Sequence, residues 1–201
     1  MVLDIGANIG FYSILLSKLV GKGGIVYAFE PEENNFKFLE RLTKNLGNIK
    51  IANIACGEKS AVAYLYKSKE MNIDHQVYDS GESREKVAVQ MVTIDDYIRS
   101  DKQMVGFVKI DVQGYDCYVF RGMKEILTRS KDLLIIGELW SYGLKKAGSS
   151  AEEYLLEVKL AGFDVEVLSK DAIQDYSLYA DDKLFYVDFA ARKINSSPVS
   201  E

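Results

Sequence analysis

The 201-residue chain is poor in the residues that build several protein classes. It has two cysteines, Cys56 and Cys117, so a disulfide framework is excluded. With one histidine, His75, a structural zinc site of the usual Cys/His kind cannot be assembled, and no motif fixes another metal. Only two prolines, Pro31 and Pro198, interrupt it, and no Pro/Ser linker divides it. There is no basic excess: 25 Lys and Arg against 30 Asp and Glu leave a net charge of −5, which carries no nucleic-acid footprint. No polybasic run suggests an anionic membrane surface.

Long apolar runs are also missing. Leu133-Leu134-Ile135-Ile136 soon meets Glu138, and Phe11 to Leu16 meets Ser17 and Lys18. Both fall far short of the ~20 residues needed to cross a bilayer. The start, Met1-Val2-Leu3-Asp4, has no basic region before an apolar one, so it does not read as a signal peptide. The expected address is the cytoplasm.

What is present is an ordinary globular balance, 48% apolar and 27% charged. That suits a single domain over 1–194, followed by a polar, disordered tail, Asn195 to Glu201. Short apolar runs alternate with helical patterns. Val2 to Ile5, Ile25 to Phe29, Lys50 to Ala55, Phe107 to Val112 and Leu133 to Leu139 read as strands, with Phe163 to Leu168 and Leu184 to Phe189 closing the series. Helices are expected with Phe11, Tyr12, Leu15, Leu16 and Leu19 on one face, then with Phe36, Leu39, Leu42 and Leu46. Others span about Tyr115 to Leu127, interrupted at Gly122, and Ser150 to Gly162. Ala61 to Tyr66 and Val87 to Val92 form an added strand pair around a long polar loop, Lys67 to Lys86, which holds His75. This is an α/β chain with a mostly parallel sheet covered on both faces. Such sheets bind ligands at the carboxyl ends of their strands, where strand order switches.

The chemistry sits in those loops. Gly6 allows a tight turn after the first strand and Gly10 a close approach of the helix, with Asn8 placed to cap it. Glu30 follows Gly10 by twenty residues, at the end of the second strand, where a carboxylate reaches a ribose diol. Together they define a nucleoside site. A nicotinamide cofactor would want G-x-G-x-x-G, which the loop lacks. Asp4 would repel a pyrophosphate and suits a ligand with an ammonium or sulfonium group, as in S-adenosylmethionine. Asp111 and Glu138 stand at the ends of later strands, and His75 titrates near neutrality; these three are the candidate catalytic groups.

DIGANIG at 4–10, YAFEP at 27–31, NIACGE at 53–58, TIDDYI at 93–98, KIDVQGYD at 109–116 and GEL at 137–139 resemble the FkbM-type S-adenosylmethionine-dependent methyltransferases. The resemblance implies a Rossmann-like class I methyltransferase fold, a seven-stranded sheet with its last strand antiparallel. It implies methyl transfer to a hydroxyl of a sugar, glycolipid or secondary metabolite. It also implies a cofactor site made by Asp4, Gly6, Ala7, Asn8, Gly10, Glu30, Pro31, Ala55 and Asp111. The family usually has Glu-Gly where this chain has Gln113-Gly114, and Glu in place of Asp116. It also carries a helical segment ahead of the first strand, which here begins at Val2. Apolar surface left open on that side implies a homo-oligomer or low stability. Two other readings stand beside this one: a nicotinamide-dependent oxidoreductase, and a truncated, inactive cofactor-binding module serving a partner.

Overall fold

The structure, a computed structural model, describes residues 1–68, 74–101, 103–168 and 175–194. The expected tail from Asn195 and the middle of the 67–86 loop lie outside the described residues. In chain order the elements are β1 (Val2–Ile5), α1 (Phe11–Val20), β2 (Val26–Phe29), α2 (Glu33–Thr43), β3 (Ile49–Ala52), β4 (Ala55–Cys56), β5 (Ala61–Lys67) and β6 (Glu85–Val92). Then come α3 (Ile94–Tyr97), β7 (Phe107–Ile110), α4 (Asp116–Arg121), α5 (Lys124–Arg129), β8 (Leu134–Leu139), α6 (Ser141–Ala147), α7 (Ala151–Leu160), β9 (Phe163–Val167) and β10 (Val187–Lys193).

Seven strands form one sheet in the order β3-β2-β1-β7-β8-β10-β9. All are parallel except β10, which runs antiparallel to both β8 and β9. The order reverses between β1 and β7, the switch point beside which sheets of this kind bind ligands. The strands alternate between two faces. Leu3, Ile5, Tyr27, Phe29, Val108 and Ile110 join the main core with residues of α3, α4, α5 and α7. On the other face Val2 and Val26 pack with Leu16 of α1, and Ala28 packs with Leu39 of α2.

Several boundaries depart from the sequence reading. Ala55–Cys56 does not extend β3; it turns away and joins β5 and β6 in a three-stranded sheet. The last strand is Val187–Lys193 rather than Leu184 to Phe189, and Leu184 is 86% exposed. The helix expected from Tyr115 with an interruption at Gly122 does break there, into α4 and α5. Ser150 Oγ does accept the Glu153 N–H at 3.1 Å, but the Glu153 carboxylate goes to Arg121 rather than back to the cap.

The expected apolar face of α1 is the clearest correction. Leu16 is buried along with Ser13 and Ser17, whereas Phe11, Tyr12, Leu15 and Leu19 are exposed. Ser13 and Ser17 face the sheet because each meets a polar partner there, Asp4 and Asn48. The leucine stripe instead borders an open furrow of about 470 Å³, floored by Val2, Phe107 and Ile136.

Candidate active site

A cavity of about 270 Å³ lies at the carboxyl ends of β1, β2 and β7. Gly6, Asn8, Glu30, Pro31, Ala55, His75, Asp111 and Glu138 all line it, together with Asn35, Leu65, Val77 and Gln113. Of the residues expected at the cofactor, Asp4, Ala7 and Gly10 stand behind this wall.

The turn after β1 explains the split. The Gly6 N–H and Ala7 N–H both donate to the Phe29 carbonyl, so the loop is folded against the end of β2. Gly6 has φ +79°, and a Cβ there would lie 1.9 Å from the Asp111 carbonyl oxygen. Only glycine lets the β1 and β7 loops approach this closely. Asn8 does not cap α1: its Oδ1 accepts the Ile9 N–H at 2.7 Å, and Gly10 holds the cap position without a side-chain bond. Asp4 is fully buried behind the loop, where Oδ2 accepts the Ser13 hydroxyl at 2.6 Å and Oδ1 lies 3.5 Å from Lys109 Nζ. It supports the loop from beneath and does not face the cavity.

Glu30 is held on both oxygens. The Asn8 N–H donates to Oε2 and the Glu32 N–H to Oε1, each at 2.8 Å. A carboxylate oxygen has two lone pairs, so each can still accept a ligand hydroxyl. Burial pushes the Glu30 carboxyl up to about 7, against the pull of those two N–H groups.

Lys109, which the sequence reading passed over, organises the other side. It is the register partner of Asp4 across β1 and β7. Its ammonium lies 3.3 Å from Asp111 Oδ2 and donates to the Gly6 carbonyl at 3.1 Å. Burial pulls the Lys109 ammonium down, but Asp111 and Asp4 outweigh it and hold it above the ordinary lysine value. Asp111 also accepts from Gln113 Nε2 at 3.0 Å, and its side chain is 38% exposed. Gln113 itself has φ +55°, an uncommon backbone for a non-glycine residue, beside the site. Glu138 comes from the next strand. Burial, with Asp111, Asp116 and Asp188 nearby, pushes its carboxyl up to about 8. Asp116 is buried, accepts the Gly114 N–H at 3.0 Å, and is likewise raised to about 7 by burial. It shapes the β7–α4 turn.

The arrangement is a cavity lined by Glu30 at the end of β2 and by two further carboxylates, Asp111 after β7 and Glu138 near the end of β8. Residues 4–165 match the model of the methyltransferase FkbM domain. The chain belongs to the FkbM methyltransferase family. No curated protein matches it. Among solved structures it is similar to an FkbM methyltransferase from Methylobacillus flagellatus KT, with 15% identity and a TM-score of 0.59 over 95% of this chain. The chain spans 42% of the length of that protein. It is also similar to fibrillarin from Aeropyrum pernix, solved with natively bound S-adenosyl-L-methionine, at 14% identity and a TM-score of 0.53, over 94% of this chain and 65% of that one. A Streptococcus mutans protein described as a methyltransferase, in complex with SAH, aligns over 96% of this chain and 88% of its own at 12% identity and a TM-score of 0.53. The fold is that of the class I S-adenosylmethionine-dependent methyltransferases. Among the described residues no helix is long and apolar enough to cross a membrane.

Proposed function

We propose that this FkbM-family chain binds S-adenosylmethionine in the cavity and transfers its methyl group to a hydroxyl of a small-molecule or carbohydrate acceptor. The observation that carries the reading is Glu30, fixed by two N–H bonds of 2.8 Å at the end of β2 and facing the cavity. That is where a ribose diol is read in this kind of sheet. The residues fit the cofactor: Glu30 for the ribose, the Gly6–Asn8 backbone for the methionine portion, and Pro31 and Ala55 beside the base. When bound, S-adenosylmethionine supplies a methyl carbon made electrophilic by its sulfonium.

The chain's part is orientation and proton handling. Asp111 is the base for the acceptor hydroxyl. Its side chain is 38% exposed, and Lys109 and Gln113 fix its two oxygens. Glu138 carries its proton at neutral pH, since its carboxyl is raised to about 8, so it donates a hydrogen bond and helps hold the acceptor oxygen. His75 is not required as a base. A nicotinamide cofactor is disfavoured, because the loop has no pyrophosphate cradle and buried Asp4 lies just beneath it.

Calorimetric titration with S-adenosylhomocysteine, S-adenosylmethionine and NAD tests the reading. Binding of the first two and not the third is expected, with a rise in melting temperature from mass action on the folded state. No binding of the first two at millimolar ligand, or equal binding of NAD, overturns it.

A further inference from the structure

We infer that β5 and the segment 74–84 ahead of β6 supply a preformed wall of the cofactor pocket, with His75 as a contact for the nucleoside half of the cofactor. The inference rests on the reading of this cavity as an S-adenosylmethionine site.

Within the long polar segment 67–86, residues 74–84 are tied down from several sides. The Arg84 guanidinium pairs with Asp74 at 2.7 Å, with both side chains largely buried. Gln76 Nε2 donates to Asp74 Oδ1 at 2.8 Å, and the Gln76 backbone exchanges two hydrogen bonds with Tyr66 of β5. Tyr78 donates its hydroxyl to the Gln113 carbonyl at 2.8 Å, which fastens the segment to the loop after β7. Lys183 reaches across to Glu82 at 2.7 Å.

The side chains between these ties face the cofactor cavity. His75 and Val77 line it, joined by Leu65 of β5 and by Pro31, Ile54 and Ala55. The charged groups acting on the imidazole are Glu32, Lys67, Asp74 and Arg84, and Glu32 stands two residues from Glu30, so His75 is assigned to the nucleoside. The imidazole is also oriented. The Ser68 N–H donates to His75 Nδ1 at 3.0 Å, so in the neutral ring the proton sits on Nε2, a donor for a ribose oxygen or an adenine nitrogen. Half-burial holds the ring below the ordinary histidine value, which keeps that tautomer at neutral pH, with Glu32, Lys67, Asp74 and Arg84 as its charged neighbours.

Two commercial ligands separate the halves of the cofactor: S-adenosylhomocysteine, and 5′-methylthioadenosine, which lacks the amino-acid group. His75→Ala should weaken both by about five- to tenfold, the loss of one hydrogen bond, with an unchanged melt in the absence of ligand. If the alanine variant melts early, His75→Gln carries the same comparison, because it keeps a donor and an acceptor; it should bind both ligands more tightly than alanine. Affinities within twofold of the parent for both ligands overturn the inference, as does a loss seen with S-adenosylhomocysteine alone. If the parent binds neither ligand, the cofactor reading falls, and the assignment of His75 falls with it.

Discussion

Lys109 places its ammonium 3.3 Å from Asp111 Oδ2 and 3.5 Å from Asp4 Oδ1, so one buried cation serves the acids of two adjacent strands. Removing it leaves Asp4 buried without a counter-charge. Lys109→Met keeps most of the stem and should cost about 3–5 kcal/mol of stability, the range for breaking a buried pair from one side. Adding Asp4→Asn should return part of that loss. Denaturant melts of the two single variants and the double variant measure it, and additive losses would show that the two groups are not coupled.

Glu30 is the residue on which the cofactor reading depends. Glu30→Ala should weaken S-adenosylhomocysteine by roughly 1.5–3 kcal/mol, as expected for hydrogen bonds to a charged group. It should leave the fold intact, because the carboxylate lies at a strand end. An unchanged dissociation constant by calorimetry would remove it from the site.

Three acids, Glu30 and Asp116 buried and Glu138 half-buried, give the chain a pH signature. Glu30 and Asp116 are raised to about 7 and Glu138 to about 8, all by burial first. Between the ordinary carboxylate range and pH 8 the folded state therefore holds protons that the unfolded chain has released. Stability should be fullest below about pH 4.5 in respect of these groups and fall as pH rises to 8. Glu138→Gln removes one contributor. It should melt higher than the parent at pH 8, by about 1–3 kcal/mol, and the gap should close toward pH 5. A gap independent of pH would contradict a raised Glu138.

Gly6→Ala meets both a φ of +79° and the Asp111 carbonyl. The β1 and β7 loops would have to part. A loss of stability of ~2 kcal/mol or more is expected, with loss of cofactor binding. A thermal melt near that of the parent would show that the two loops can separate.

The sequence carried much of this because the central strands are buried on both faces. Val26–Phe29 is a continuous apolar run for that reason, Val2–Ile5 and Phe107–Ile110 are apolar apart from the paired Asp4 and Lys109, and Glu30 and Asp111 follow from being the next residues along. What it hid has physical causes. Leu184 and Tyr186 mimic a strand pattern yet stay outside, where Tyr179 and Phe185 stack 3.7 Å apart, while the true last strand includes Asp188, Arg192 and Lys193. Helix α6 contains Gly143, a poor helix former, packed against the Trp140 ring, and no periodicity announces it. Lys109 looked like an interruption in an apolar run. Its partner Asp4 is distant in sequence and becomes visible only once β1 and β7 are known to be neighbours. His75 reached the cavity through the fold of the small sheet, which local pattern does not encode.

Asp111, Glu138 and Lys109 have two aspects. They border the open furrow beside α1, and the first two also line the cavity that holds Glu30, so the two hollows share a pair of carboxylates. Solvent exposure on the furrow side thus sets part of the dielectric around Asp111 and Glu138. Any apolar body that settled there would exclude solvent, drive the Glu138 proton on more firmly and tighten the Lys109–Asp111 attraction. The back of the site could then tune the front without touching either the cofactor or the acceptor.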